Sequence, residues 1–322
     1  MKRVSIGIIQ VLPAMRISMH HRNALQLKFV CTGLFLTITT LMLFSKPLIA
    51  SQNIELQAPI AVQEQGKPLK HKKVVSLAPH ITELLYSAGA GEHIVGVVEF
   101  SNFPEAAKSK PIIGNYHGIN IEKLLQLNPD IIIAWDGGSR LQDIEKLKRL
   151  GFNVIFSNPR SLNDISAEIT KFATLLGTQK VAMPTIQRID KTLLNLQMTY
   201  ANKDKIGVFY QIWQRPLMTI NKKQFISQAI ELCGARNVFS DLPLLAAEVN
   251  IESVLQRNPQ IILLGGEKAT QETWRKDWQK IKQIEAVNNN HIYKINADLY
   301  QRPTERFVMQ LEKLCQTIDL AR

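Results

Sequence analysis

The sequence predicts an α/β protein, with two Rossmann-like α/β lobes joined by a single long rigid helix and a ligand cleft between the lobes. Three observations predict it. Short apolar strands alternate with helices along most of the chain, which is the pattern of parallel sheets with crossover helices. Residues 121–132 read Ile-Glu-Lys-Leu-Leu-Gln-Leu-Asn-Pro-Asp-Ile-Ile, and residues 251–262 read Ile-Glu-Ser-Val-Leu-Gln-Arg-Asn-Pro-Gln-Ile-Ile. These are eight identities in twelve positions, and a Gly pair soon follows each copy, Gly137-Gly138 and Gly265-Gly266. Such self-similarity points to two related lobes. Between the copies, residues 162–176 and 181–200 carry apolar side chains at helical spacing, and about 20 helical residues span roughly 30 Å.

The elements follow in order. Of the 322 residues, the first 50 hold Lys2, Arg3, Arg16, Arg22, Lys28 and Lys46 and no acid. A basic stretch, an apolar run from Phe29 to Phe44 and small Ala50 make residues 1–50 a signal peptide, with cleavage expected after Ala50. The run is just short of a bilayer span, so an uncleaved anchor is the alternative. The net charge of +12 shrinks without this segment, which leaves 33 basic against 27 acidic residues. Residues 51–72, polar and ending near Lys67, Lys70, His71, Lys72 and Lys73, form a flexible lead-in. Its basic cluster has no interleaved aromatics, and with export this excludes a nucleic-acid partner.

The N-terminal lobe is expected over residues 73–160. Val74 to Leu77 is a strand; Pro79 to Ala88 is a helix opened by Pro79 and stopped by Gly89. Ile94 to Val98 is a strand, Ile121 to Leu127 a helix broken by Asn128-Pro129, and Ile131 to Ala134 a buried strand. A helix over 141–150 closes at Gly151, and Val154 to Phe156 follows as a strand. Residues 161–203 form the helical connector, with Pro184 expected in the first turn of its second helix. The C-terminal lobe, 204–322, begins with the strand Ile206 to Tyr210.

Enzyme signatures are missing: there is no G-x-S-x-G elbow, no phosphate-binding G-x-x-x-x-G-K-[ST] loop and no H-E-x-x-H pair. His71, His80, His93, His117 and His291 are scattered, so no metal site, resident cofactor or catalytic residue is expected. Aromatic residues instead gather at strand ends. Trp135 follows Ile131 to Ala134 and precedes Asp136-Gly137-Gly138, at the edge where open α/β sheets bind ligands. Phe100, Phe103, Tyr116 and His117 lie on loops of the same lobe. In the other lobe Trp213 follows a strand, although alone it reads as core. The segment Asp298-Leu299-Tyr300-Gln301-Arg302 follows the apolar residues 292–295. Together these suit a cleft that holds a sizeable small molecule. Trp274, Trp278 and Ile281 have i, i+4, i+7 spacing and read as one buried helix face. Cys31 falls in the signal, and the remaining pair, Cys233 and Cys315, favours one disulfide in an oxidising compartment, two buried thiols being the alternative.

At these residues the chain resembles a family. The segments Ser76-Leu77-Ala78-Pro79 with Thr82-Glu83-Leu84, Tyr116 to Glu122, Ala134-Trp135-Asp136-Gly137-Gly138, Cys233-Gly234 and Asp298 to Arg302 with Cys315 are similar to those of periplasmic cobalamin-binding proteins of ABC importers. The resemblance implies a monomeric, non-enzymatic carrier. Phe100, Tyr116, Trp135 and residues 298–302 would contact a corrin ring, with Asp298 and Arg302 bonding its amide and nucleotide groups. It also implies a Cys233–Cys315 disulfide, and makes Glu122 and Glu252 docking groups for arginines on two permease subunits. Simple complementarity to a helix dipole is the alternative role for these acids. Phe100 stands where that family has a tyrosine, an aliphatic residue replaces its tryptophan within 244–247, and Asp136 stands where a basic residue is typical. Haem or an iron siderophore, with Tyr116, His117 or Tyr300 near the iron, is the other ligand class of the same superfamily.

Overall fold

Residues 71–322 are described by the structure, a computed structural model. The expected signal over 1–50 and the lead-in as far as residue 70 lie outside the described residues. The N-terminal lobe contains β1 (Val74–Ser76), α1 (Pro79–Ser87), β2 (Ile94–Val97), the short ribbon β3 (Gly114–Asn115) and β4 (Gly118–Ile119), α2 (Ile121–Leu127), β5 (Ile131–Trp135), α3 (Leu141–Arg149) and β6 (Val154–Ser157). Two helices follow, α4 (Leu162–Leu176) and α5 (Gln179–Tyr200). The C-terminal lobe contains β7 (Ile206–Gln211), β8 (Trp213–Gln214), β9 (Leu217–Ile220), α6 (Phe225–Leu232), β10 (Ala235–Asn237), β11 (Ala246–Glu248), α7 (Ile251–Arg257), β12 (Ile261–Leu264), α8 (Lys268–Trp278), α9 (Glu285–Asn288), β13 (Ile292–Lys294), α10 (Ala297–Tyr300) and α11 (Glu305–Asp319).

Both lobes carry a four-stranded parallel sheet with the same order. It runs β2-β1-β5-β6 in the first and β10-β7-β12-β13 in the second, so each lobe places its own second strand outside its first. The twelve-residue repeat is therefore a structural repeat. In each copy an Asn caps the helix through its side chain, Asn120 Oδ1 accepting from Lys123 N at 2.9 Å and Asn250 Oδ1 accepting from Ser253 N at 2.8 Å. In each copy a second Asn ends the helix in the left-handed region, Asn128 at φ 45° and Asn258 at φ 38°. The Pro that follows prevents the helix from continuing.

Alternation along the strands separates three cores. Val74, Ile131 and Ile133 of the first sheet and Ile206, Val208, Tyr210, Ile261 and Leu263 of the second all enter one core, with α1, α4, α5, α6 and α11. Their neighbours Val75, Ile132 and Ala134 pack an outer core of the first lobe. Phe209, Ile262 and Leu264 pack an outer core of the second, where Trp274 and Trp278 form a buried helix face; Ile281, expected on the same face, lies past the helix end and is only half-buried against this core. The two lobes thus share their central core.

The 22-residue helix α5 is the long connector, about 33 Å at 1.5 Å per residue. Thr178, at its start, donates to Ala88 O at 2.6 Å, and Gly89 at the end of α1 leaves no room for a Cβ, which would lie 2.5 Å from Val181 Cγ1. At the other end Tyr200 packs beneath the guanidinium of Arg322. The helix starts two residues before the expected Val181, so Pro184 lies in its second turn rather than its first, and the amide bond that a residue at 184 would give is absent. The earlier start comes from Thr178, whose carbonyl accepts from both Val181 N and Ala182 N. The lead-in's last residues are tied down: His71 stacks on His93 at 4.0 Å, and the Lys72 ammonium donates to Leu175 O at 2.9 Å.

A disulfide joins Cys233, at the end of α6, to Cys315 on α11, with Cα atoms 4.8 Å apart and both residues fully buried. It closes a loop of 82 residues, which stabilises the fold by about 4 kcal/mol on loop entropy. Replacing both cysteines with Ala should lower the urea-unfolding free energy by about that amount.

Candidate functional site

The loops at the carboxyl edge of the first sheet build a cavity of about 220 Å³. Phe100, Tyr116 and Trp135 line it together, with Pro79, Glu99 and Arg140 among the rest of its wall. These three rings are 67%, 51% and 43% exposed, large apolar surfaces left facing water at one place. Such clustering marks a binding surface rather than an unfinished core.

Backbone devices hold the rings there. Phe100 has φ 64°, a left-handed conformation that costs a bulky residue free energy and is kept only where neighbours impose it. The neighbours are visible: Glu99 N donates to Gly114 O at 2.9 Å, and Thr82 Oγ1 reaches Ser101 Oγ at 3.2 Å and Ser76 Oγ at 2.8 Å. Trp135 lies across Gly138, where a Cβ would fall 1.9 Å from the indole, and Gly137 turns the chain at φ 85°. The Trp-x-Gly-Gly sequence is thus a ring, a left-handed turn and the flat seat for the ring. Behind Trp135, the imidazole of His80 meets the indole edge-on at 5.2 Å. Burial, with the Arg302 charge adding to it, lowers the pKa of His80 to about 3, so the ring is neutral.

A second cluster lies where the lobes meet. Glu83 on α1, with a side chain 2% exposed, is held by two arginines of the other lobe. Arg302 Nη1 donates to Glu83 Oε1 at 2.9 Å, and Arg306 Nε donates to Glu83 Oε2 at 2.9 Å. Arg302 also donates to Asn102 Oδ1 at 2.8 Å and to Asp298 Oδ1 at 2.7 Å. The Arg306 guanidinium stacks 3.9 Å from the Phe103 ring centre. Phe103, Asp298 and Arg302 therefore converge on this clamp. Sequence reading assigned no role to Glu83, Asn102, Arg306 or His80. A signal was present: Arg302 and Arg306 are like charges four residues apart, and Glu83 interrupts the apolar run of Ile81, Leu84 and Leu85.

The remaining expected residues are placed apart from the cavity. Trp213 opens β8, pairs with Met218 and turns its ring toward Trp274, its Nε1 donating to Arg215 O at 3.1 Å. Leu299 packs against the shared core; Tyr300 is buried, its hydroxyl donating to Gln310 O at 3.1 Å. Gln301 Nε2 reaches Tyr210 Oη at 3.4 Å and also donates to Gly265 O. Glu122 and Glu252 occupy the first turns of α2 and α7, exposed and in no ion pair among the described residues. Among the described residues, no three His, Cys, Asp or Glu side chains are grouped to hold a metal ion.

Two sheets of one topology on a common core, with exposed aromatics at a sheet edge beside the junction, define a two-lobed solute-binding protein. The chain belongs to the periplasmic binding protein family, whose pattern matches residues 74–299. It is 34% identical over 258 residues to a Vitamin B12-binding protein of Vibrio cholerae, covering 80% of this chain and 92% of that one. A relative of the same description from Pectobacterium carotovorum is 30% identical over 249 residues, covering 77% and 88%. The solved structure of the periplasmic Vitamin B12 binding protein BtuF of Vibrio cholerae superposes with TM-score 0.70 at 32% identity, covering 78% of this chain and 97% of that one. The periplasmic heme-binding protein HutB of Vibrio cholerae shares the fold, with TM-score 0.68 at 19% identity, covering 77% and 99%.

Breaking a buried ion pair from one side leaves charge without a partner. Glu83→Ala should lower the unfolding free energy by about 3 kcal/mol or more, read by urea denaturation. Reversal of Lys108 or Glu105, an exposed pair, should change it by less than about 1 kcal/mol.

Proposed function

We propose that the protein captures cobalamin, or a related corrinoid, in the cleft beside Phe100, Tyr116 and Trp135, and delivers it to an inner-membrane ABC importer. The observation that carries the reading is the exposed aromatic trio on one cavity. Its support is that relatives one-third identical over four-fifths of the chain are described as Vitamin B12-binding proteins. A corrin ring offers broad apolar edges to such rings and amide side chains to the polar groups around them. The protein holds this ligand without altering it, works as a monomer and needs no cofactor of its own. It acts in the periplasm after removal of its signal near Ala50. Tyr300 is a poor iron ligand, since burial raises its phenol pKa to about 12 and its hydroxyl is already engaged.

Glu122 and Glu252 serve as docking groups, one per lobe, for arginines on two permease subunits. Their identical places in the repeat and their exposure support this, because a two-fold partner needs two equivalent acids.

Calorimetry of the mature protein with cyanocobalamin, cobinamide and haem should give binding heat with the corrinoids. Binding of haem with no heat from either corrinoid would overturn the reading in favour of haem capture. Glu122→Lys with Glu252→Lys should leave corrinoid affinity unchanged and abolish uptake in cells; uptake at the unaltered rate would remove the docking role.

A further inference from the structure

A neutral imidazole stands behind the aromatic wall of the cavity. His80 is the second residue of α1; Pro79 before it and Trp135 against it line the cavity, while His80 itself is 5% exposed. Its Nε2 is closed off from solvent and has no hydrogen-bond partner among the described residues. Burying a polar atom in this way costs free energy, and an apolar ring of similar size would fill the place without that cost.

We propose that His80 is a specificity-determining residue of the cleft, its Nε2 accepting a hydrogen bond from a carboxamide N–H on the rim of the bound macrocycle. The proposal rests on the corrinoid reading above and says how that ligand is told from others. A corrin rim carries carboxamides, which have hydrogens to give. A porphyrin rim such as that of haem carries carboxylates, which have none, and their oxygens would face the imidazole lone pair. A site that expects a donor rejects a group without one, because its own polar atom stays unpaired.

The surroundings fit this division. Burial keeps the imidazole uncharged at neutral pH, and in the tautomer with its proton on Nδ1, which the proposed role requires, it offers a lone pair at Nε2 and no cation for a carboxylate. Arg302, whose charge acts on it, does not serve a ligand carboxylate either. Its terminal nitrogens are committed to Glu83, Asn102 and Asp298. The indole of Trp135 meets the imidazole edge-on, and the role proposed for Nε2 has that indole slide aside when the ligand enters. That ring is 43% exposed and seated on a glycine, so no packed core is broken when it moves.

Three proteins, wild type, His80→Gln and His80→Phe, are titrated with cyanocobalamin and with its derivatives in which one rim carboxamide is hydrolysed to a carboxylate. His80→Phe keeps the shape and removes the acceptor, and should bind cyanocobalamin about three- to tenfold more weakly. His80→Gln should regain most of the loss, since its amide oxygen accepts. The wild-type preference for the intact amide over one of the hydrolysed forms should shrink in His80→Phe. In wild type, the imidazole nitrogen signals in ¹⁵N NMR should shift when the ligand saturates the protein. A folded His80→Phe with wild-type affinity and the same amide preference would overturn the role while leaving corrinoid capture intact. Wild-type protein that binds no corrinoid would overturn the capture reading and this role with it.

Discussion

Both parallel sheets bury one face in the same apolar core, and this constraint orders everything else in the molecule. The inner residues of β1, β5, β7 and β12 and the connector helices belong to one continuous cluster. Parting the lobes would open that cluster to water at roughly 25 cal/mol for each Å² of apolar surface. The backbone frame of the site is consequently fixed by folding rather than by the ligand, while the exposed side chains on it stay free to adjust. The long helix α5 contributes by running from the end of α1 to the residues beside Cys233, with the disulfide closing the far end.

On that frame the Glu83 clamp sets the finer register. A carboxylate with 2% exposure must be met by positive charge with several hydrogen bonds, and here both arginines come from the opposite lobe. Ser87, one helical turn further along α1, donates to Glu305 at 2.9 Å, and Arg188 of α5 pairs with the same carboxylate. The result is a line of polar contacts along the edge of an apolar junction. Apolar packing brings the lobes together without preferring one alignment strongly, whereas fixed donor and acceptor positions do. The four-residue spacing of Asp298, Arg302 and Arg306 lets Arg302 bridge Asp298 and Glu83 while Arg306 meets the same Glu83 carboxylate.

Most of the fold was legible in the sequence because its signals are local. The strands Val74 to Ser76 and Ile131 to Trp135 are short apolar runs, α2 ends where Asn128-Pro129 forbids continuation, and the repeat betrays the shared topology. The start of α5 was misplaced because Thr178 begins the helix through backbone bonds that no side-chain pattern announces. In the site, Trp135 was visible as an aromatic at a strand end, and the family resemblance singled out Phe100 and Tyr116 with it; all three line one cavity. The clamp was not visible, because Glu83 and Arg306 are 223 residues apart and meet only through the shared core. His80 was passed over for a similar reason. A lone histidine on a helix resembles any other until its burial and its unpaired nitrogen are seen.

The rigid junction bears on how such a carrier reports its load under the docking role proposed for Glu122 and Glu252. Each acid sits in the first turn of a helix whose Asn cap and left-handed Asn end are the same in both lobes, so each is fixed relative to its own sheet. The sheets are in turn fixed to one another by the common core. The separation of the two acids is therefore a property of the fold and changes little when the cleft fills. A partner that gripped only these acids would hold empty and loaded carriers alike. Discrimination between them has to come from a surface that the ligand alters; Phe100, Tyr116 and Trp135 are open to water, and a macrocycle bound there would cover them. Under the capture reading, exposed aromatics on a rigid frame serve both tasks: they would hold the ligand by its apolar edges, and their covering would be the part of the carrier's face that changes.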